Sequence, residues 1–267
     1  MRRFVKLTAE RVLSDRFGTG IRLGGGEMLG RNDRSEVYRF RILSGPDGLP
    51  ETVVAKQGVC RHEETFDASG GPAERIFNDW AGAQFLNELC GNLISPRFYG
   101  GDSDQGLVLV EDLKVGKNLS NLLHEDNAEV AERALVEHAR VVGRMHAVTA
   151  GKVGAFNKLR NRLGRTSGAG FKIGSLLGTF RELVGVYDSK GISTEAEQDL
   201  NTVGASLREP GSFWAYTHND LGPYNCLWMG DGVKLVDFEA GRFGHARLDA
   251  LYGPLHFPAF WFTHRIP

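Results

Sequence analysis

The sequence predicts an α+β protein in two lobes: an N-terminal lobe built on an antiparallel sheet (residues 1–112) and a mainly helical C-terminal lobe that carries a short hairpin (residues 113–267). Three observations predict it. In the first part apolar residues recur at every second position, as where Tyr38, Phe40 and Ile42 alternate with Arg39 and Arg41, the pattern of half-buried strands. In the second part they recur at helical spacing, as in Val130, Leu135, Val141, Val142 and Met145. The change falls near Glu111 to Lys114, where strand-rich sequence gives way to helix-rich sequence.

In chain order, Leu7 to Phe17 reads as a short amphipathic helix with Thr8 as its N-cap and Gly18 and Gly20 ending it. Gly24, Gly25, Gly26 and Gly30 then lead through polar residues 31–35 into the strand 37–42. Such a hairpin, with glycine and serine toward its tip, can lay backbone N–H groups over phosphates; an ordinary flexible turn is the other reading. After the Ser44–Gly48 turn, Thr52-Val53-Val54-Ala55-Lys56 is an apolar strand ending in a lysine. A polar loop over Arg61–Gly71 precedes a helix that starts near Pro72, with Ile76, Trp80, Ala83, Leu86 and Cys90 as its apolar stripe. At 100° per residue Asp79 falls within about 40° of that stripe, whereas Glu74 lies off it. An inward carboxylate needs a cationic partner.

Residues 96–110 form another strand-turn-strand unit, and Leu119–His124 and Asn127–Val148 form helices. His138 and His146 on the longer helix lie two turns and roughly 80° apart, so a shared metal is not expected and both read as structural or surface residues. Further helices are expected at Ser175–Tyr187 and Thr194–Arg208. From Gly151 to Phe180 there is no acidic residue, while Lys152, Lys158, Arg160, Arg162, Arg165 and Lys172 recur. This stretch reads either as a solvated basic face or as the wall of a pocket for an anionic or neutral ligand.

Composition bounds the class. The formal net charge is −1, which argues against wholesale binding to nucleic acid or membranes. Three cysteines, Cys60, Cys90 and Cys226, give no disulfide framework or zinc motif. With no apolar run of membrane-spanning or signal-peptide length, the expectation is a soluble cytoplasmic protein. Its oligomeric state is not readable.

The chemistry concentrates in Thr217-His218-Asn219-Asp220-Leu221-Gly222-Pro223-Tyr224-Asn225 and, past a Gly-Asp-Gly turn, in Val236-Asp237-Phe238-Glu239. Read as strand, loop, strand, turn and strand, this delivers Asp220, Asn225 and Asp237 to neighbouring strand ends. Mg²⁺ takes oxygen ligands from one or two side chains and leaves its other positions to phosphates and water. The spacing His218-x-Asp220-Leu221-x-x-x-Asn225 followed by Asp-Phe is the catalytic-loop pattern of kinases, with Asp220 as base and Asn225 and Asp237 as metal ligands. Lys56 occupies the place in that order of the lysine that holds nucleotide phosphates.

Together with Asp249 in Leu-Asp-Ala-Leu, these motifs resemble the aminoglycoside phosphotransferase family of kinase-like small-molecule kinases. The resemblance runs from Gly24 to Asp249. It implies a protein-kinase-like fold, ATP and Mg²⁺ as cofactors, and phosphoryl transfer to a hydroxyl of a small molecule. It also implies a hinge near Glu111 whose backbone meets the adenine, a carboxylate on the first large helix paired to the strand lysine, and His218 and Asp249 as structural supports of the catalytic loop. Members of that family usually place a Glu on the helix; here the expected partner of Lys56 is Asp79, with Glu74 as the fallback. They also continue past the equivalent of Asp249 with helices that wall the acceptor site, whereas this sequence closes on the aromatic run Phe257–Phe262. Two other readings stay open: a nucleotide-binding module without turnover, and a protein kinase, which the short interval from Asp237 to Asp249 disfavours.

Overall fold

A computed structural model describes residues 2–59, 71–164 and 193–253, together with the isolated positions 178, 182 and 185. Cys60, nearly all of the 61–71 loop, Arg165 and Lys172, most of the helix expected at 175–187 and the aromatic run 257–262 lie outside the described residues.

Five antiparallel strands form the N-terminal sheet in the order β1 (Arg22–Arg31), β2 (Ser35–Ser44), β3 (Thr52–Gly58), β5 (Leu107–Glu111), β4 (Phe98–Asp102). The period-2 pattern decides what each face does. Tyr38, Phe40, Val53, Ala55, Leu107 and Leu109 are buried beneath helix α1 (Arg2–Phe17), against Val5, Ala9, Val12 and Leu13. Their neighbours Val37, Arg39, Val54, Lys56, Val108 and Val110 face the opposite side and line a cleft. Helix α1 thus seals the back of the sheet and leaves the front for a ligand. It is longer than the sequence suggested: it begins at Arg2, and Thr8 is buried mid-helix, not its N-cap.

Helix α2 (Gly71–Cys90) carries more than one apolar stripe because it serves two cores. Ala73, Ile76 and Phe77 pack with Val108 of the sheet, while Ala81, Ala83, Phe85 and Leu86 join the C-terminal core. That core gathers α3 (Leu119–Leu122), α4 (Ala128–Thr149, with Asn127 as N-cap) and α5 (Val153–Arg162) around strands β7 (Trp214–Thr217), β8 (Cys226–Trp228), β9 (Val233–Leu235) and β10 (Arg242–His245). Phe85, Phe156, Tyr216 and Phe243 form a ring cluster with centroids 5.1–6.1 Å apart. Tilted and edge-on pairs of this kind add about 0.5–1.5 kcal/mol each beyond area burial. They clamp β7, which feeds the loop carrying Asp220. The chain crosses between lobes after β5, since β6 (Lys117–Asn118) already pairs with β8. Among the described residues no helix is long and apolar enough to cross a membrane.

Candidate active site

Between the lobes lies a cleft of about 690 Å³ lined by Lys56, Asp79, Asn225 and Asp237 at one end and by Val37, Val54, Val108, Leu227 and Val236 along its walls. Its polar end is assembled from three separate parts of the chain.

Lys56 reaches into it from β3. Its ammonium stands 2.7 Å from Asp79, 2.5 Å from Asp237 and 3.8 Å from Glu239. Burial opposes its charge, yet the carboxylates of Asp79 and Asp237 outweigh that cost and hold the ammonium above its ordinary range. Lys56 is therefore a fixed cation. Asp79 is the helix carboxylate that meets it. Glu74 sits in the first turn of α2 and acts instead on the charge of Arg160. The second oxygen of Asp79 accepts the backbone N–H of Phe238 at 2.7 Å, so one short side chain ties the lysine to the Asp237-Phe238-Glu239 turn. The reach succeeds because Gly82, one turn on, lets α2 sit close: a Cβ there would overlap the Tyr216 hydroxyl and lie 2.7 Å from the Phe238 Cβ.

The loop that carries Asp220 follows β7. The buried carboxylate of Asp249 accepts the backbone N–H groups of His218 at 2.8 Å and Asn219 at 2.9 Å, and meets His146 Nε2 at 2.9 Å. Asn219 is left-handed at φ 59°, a conformation an Asn tolerates. Its carbonyl accepts from the Tyr252 hydroxyl at 2.8 Å, and its side-chain amide donates to Thr217. His218 is fully buried; its Nε2 meets the Val236 carbonyl at 3.0 Å, so Nε2 carries the proton. The loop is thus held by its backbone, which leaves the Asp220 side chain for other work. Asp220 Oδ1 accepts the Tyr224 hydroxyl at 2.7 Å, and Oδ2 accepts Asn225 Nδ2 at 3.1 Å. Asn225 Nδ2 also donates to the Asp220 carbonyl at 2.9 Å. With its nitrogen committed, Asn225 turns its amide oxygen into the available ligand atom.

Asp237 is left-handed too, at φ 66°, and a non-glycine residue there marks a constrained turn. The Val236 N–H donates to the Asn225 carbonyl at 3.0 Å, which ties the two oxygen donors together. Among the described residues no group of three His, Cys, Asp or Glu side chains converges for a metal. One amide oxygen and one carboxylate suit a cation that takes the rest of its shell from phosphates and water, as Mg²⁺ does.

Other expected residues are placed differently. Gly24, Gly25 and Gly26 do not form the hairpin tip: β1 runs through them, with a register shift between Gly24 and Glu27, and only Gly30 lines the cleft. The tip is Asn32-Asp33-Arg34, where Asn32 Oδ1 accepts the N–H groups of Arg34 at 2.8 Å and Ser35 at 2.7 Å. Those two donors are therefore already engaged. The side chain of Glu111 points to a cross-lobe contact with Lys234 at 3.1 Å and the N–H of Arg97 at 3.0 Å. Burial raises the carboxyl's pKa, but these donors more than offset it and hold the group below its usual range. Its own N–H belongs to the sheet edge, donating to the Arg97 carbonyl. Of the basic residues expected over 151–180, Arg160 is buried and donates to Asn78 at 2.8 Å and to the Gly164 carbonyl at 3.0 Å, which makes it a packing cation.

Sequence reasoning missed three site features. Tyr224 bonds Asp220, His146 bonds Asp249, and Glu239 gathers Arg75 at 2.9 Å and Arg34 at 3.7 Å as well as Lys56. The signal available for the last was a carboxylate in place of the glycine of Asp-Phe-Gly, beside a site already holding a lysine.

Solved structures bear on this arrangement. Aminoglycoside phosphotransferase APH(2'')-Ib, bound to ADP, superposes with a TM-score of 0.52 at 14% identity, over 86% of this chain and 70% of that one. A thermostable mutant of aminoglycoside phosphotransferase APH(4)-Ia, in a ternary complex with ADP and hygromycin B, superposes with a TM-score of 0.50 at 13% identity, over 93% and 78%. The fold is that of the aminoglycoside phosphotransferases. No family model and no curated protein matches the sequence, so the aminoglycoside phosphotransferase fold is recognised by architecture and by the short motifs around Asp220 and Asp237.

Proposed function

We propose that the protein is an ATP-dependent phosphotransferase that moves the γ-phosphoryl group to a hydroxyl of a small molecule. The observation that carries this reading is the convergence of Lys56, Asn225 and Asp237 from two lobes on one cleft, with the Asp220 carboxylate bonded to Asn225 at 3.1 Å. The volume suits a nucleotide, and its apolar walls suit a base while its polar end suits phosphates. The ADP bound by the two solved structures of this fold supports the same assignment.

In this reading Lys56, held charged by its carboxylates, binds phosphate oxygens. Asn225 and Asp237 would hold Mg²⁺, which would neutralise charge on the phosphates. Asp220 hydrogen-bonds the acceptor hydroxyl, orients it and takes its proton as the oxygen–phosphorus bond forms and ADP departs. The short interval between Asp237 and Asp249 favours a small acceptor over a protein. A coupled ADP-release assay with Mg-ATP against a panel of sugars, amino alcohols, hydroxyamino acids and aminoglycosides tests the reading. Release stimulated by one acceptor class supports it and names that class; no stimulation by any acceptor, with no Mg-ATP binding by calorimetry, contradicts it.

A further inference from the structure

Tyr224 lines the cleft and is part-exposed there, yet its hydroxyl turns back to donate to Asp220 Oδ1 at 2.7 Å. The local sequence is arranged to allow it. Pro223 starts a tight 3₁₀ turn over Pro223–Asn225, which folds Tyr224 back toward Asp220. Gly222 makes room for the ring: a Cβ there would overlap the ring carbons and lie 2.8 Å from the hydroxyl oxygen.

The two oxygens of Asp220 therefore each receive one donor, from the successive residues Tyr224 and Asn225. A carboxylate held at both oxygens loses its side-chain rotation, and each oxygen keeps a second lone pair for a further donor. On the phosphotransferase reading, we propose that Tyr224 is a positioning residue that fixes the Asp220 carboxylate in the orientation needed to receive the acceptor hydroxyl. It acts through Asp220 and not on the nucleotide.

The contact is tested first without substrate. In an ultraviolet titration of tyrosine ionisation, Asp220→Asn removes the anion that acts on both Tyr224 and Tyr252, so the shift it causes should be larger in the wild-type background than in Tyr224→Phe, where only Tyr252 can respond. An equal shift in the two backgrounds would overturn the proposal. The role is tested by Tyr224→Phe, which deletes only the hydroxyl, and by Gly222→Ala, which displaces the ring and keeps it. The backbone of Gly222, at φ −58° and ψ 150°, accepts alanine without strain. Both variants should lower kcat by about tenfold, the effect of losing one oriented hydrogen bond, with Kd for Mg-ATP and Tm within error of wild type. Unchanged kcat in Tyr224→Phe, or a fall that follows Mg-ATP affinity or Tm instead, overturns it. A wild type that binds Mg-ATP and turns over no acceptor would sink the transferase reading and the positioning role together, while the titration would still stand as a measurement of the contact.

Discussion

The Asp79 carboxylate stands 2.7 Å from the Lys56 ammonium and, through its other oxygen, 2.7 Å from the Phe238 N–H. One side chain thus couples the sheet to the turn that presents Asp237. Asp79→Asn keeps the shape and the acceptor for Phe238 but removes the charge. Stability should fall by about 1–3 kcal/mol, as when one partner of a buried pair is neutralised, and Mg-ATP should bind more weakly. Urea denaturation and calorimetry check both. Equal values for Asp79→Asn and wild type, with losses in Glu74→Gln instead, would assign the pairing to the other carboxylate.

Gly82 sets the distance over which Asp79 must reach. Gly82→Ala should push α2 away from Tyr216 and Phe238 and destabilise the protein by about 1–3 kcal/mol through overpacking. Asp79→Glu, with one more methylene, should recover part of the lost Mg-ATP affinity in the Gly82→Ala background and lower it in the wild type. A double-mutant cycle measures that coupling; strict additivity would show that helix position and side-chain length are independent.

Asp249 holds the backbone of the loop that carries Asp220. Asp249→Ala leaves the N–H groups of His218 and Asn219 without their acceptor and removes the partner of His146. The expected cost is about 3 kcal/mol or more, read as a fall in Tm well beyond that of His146→Ala. Near-equal Tm values for the two variants would mean that the backbone bonds contribute little.

Acid should weaken the fold through His138. Burial pushes this histidine down to about 4, with Asp249 opposing and His218 adding to the shift. The unfolded chain therefore binds the proton first as pH falls below the ordinary value near 6.5. Stability is fully present above that value and is lost as pH drops toward 4, by up to about 3 kcal/mol from this group. Denaturation between pH 7 and 4 should show that slope, and His138→Leu should flatten it. An unchanged slope in the variant would place the acid sensitivity elsewhere.

How much of this was legible in the sequence follows from the range of each interaction. Asp79 was readable because helical periodicity alone sets its face. The proximity of Asp220, Asn225 and Asp237 was readable because one loop and one hairpin carry all three. Gly24–Gly26 misled because a bulged strand and a turn use glycine alike; the better tip signal was Asn32, whose side chain caps its own turn. The His146–Asp249 and Arg75–Glu239 contacts join residues far apart in the chain, and no local pattern announces them. The backward fold of Tyr224 is local, but it depends on the absence of a Cβ at Gly222, which reads in sequence as one more loop glycine.

In the proposed mechanism Asp220 acts on the acceptor and not on the nucleotide. The decisive measurement is the phosphoryl-transfer rate of Asp220→Ala against wild type, with Mg-ATP affinity measured on the same preparations. Transfer should fall by about 10²–10⁴-fold, as for removal of a catalytic base, with Mg-ATP affinity retained. Transfer at the wild-type rate in Asp220→Ala would contradict the mechanism.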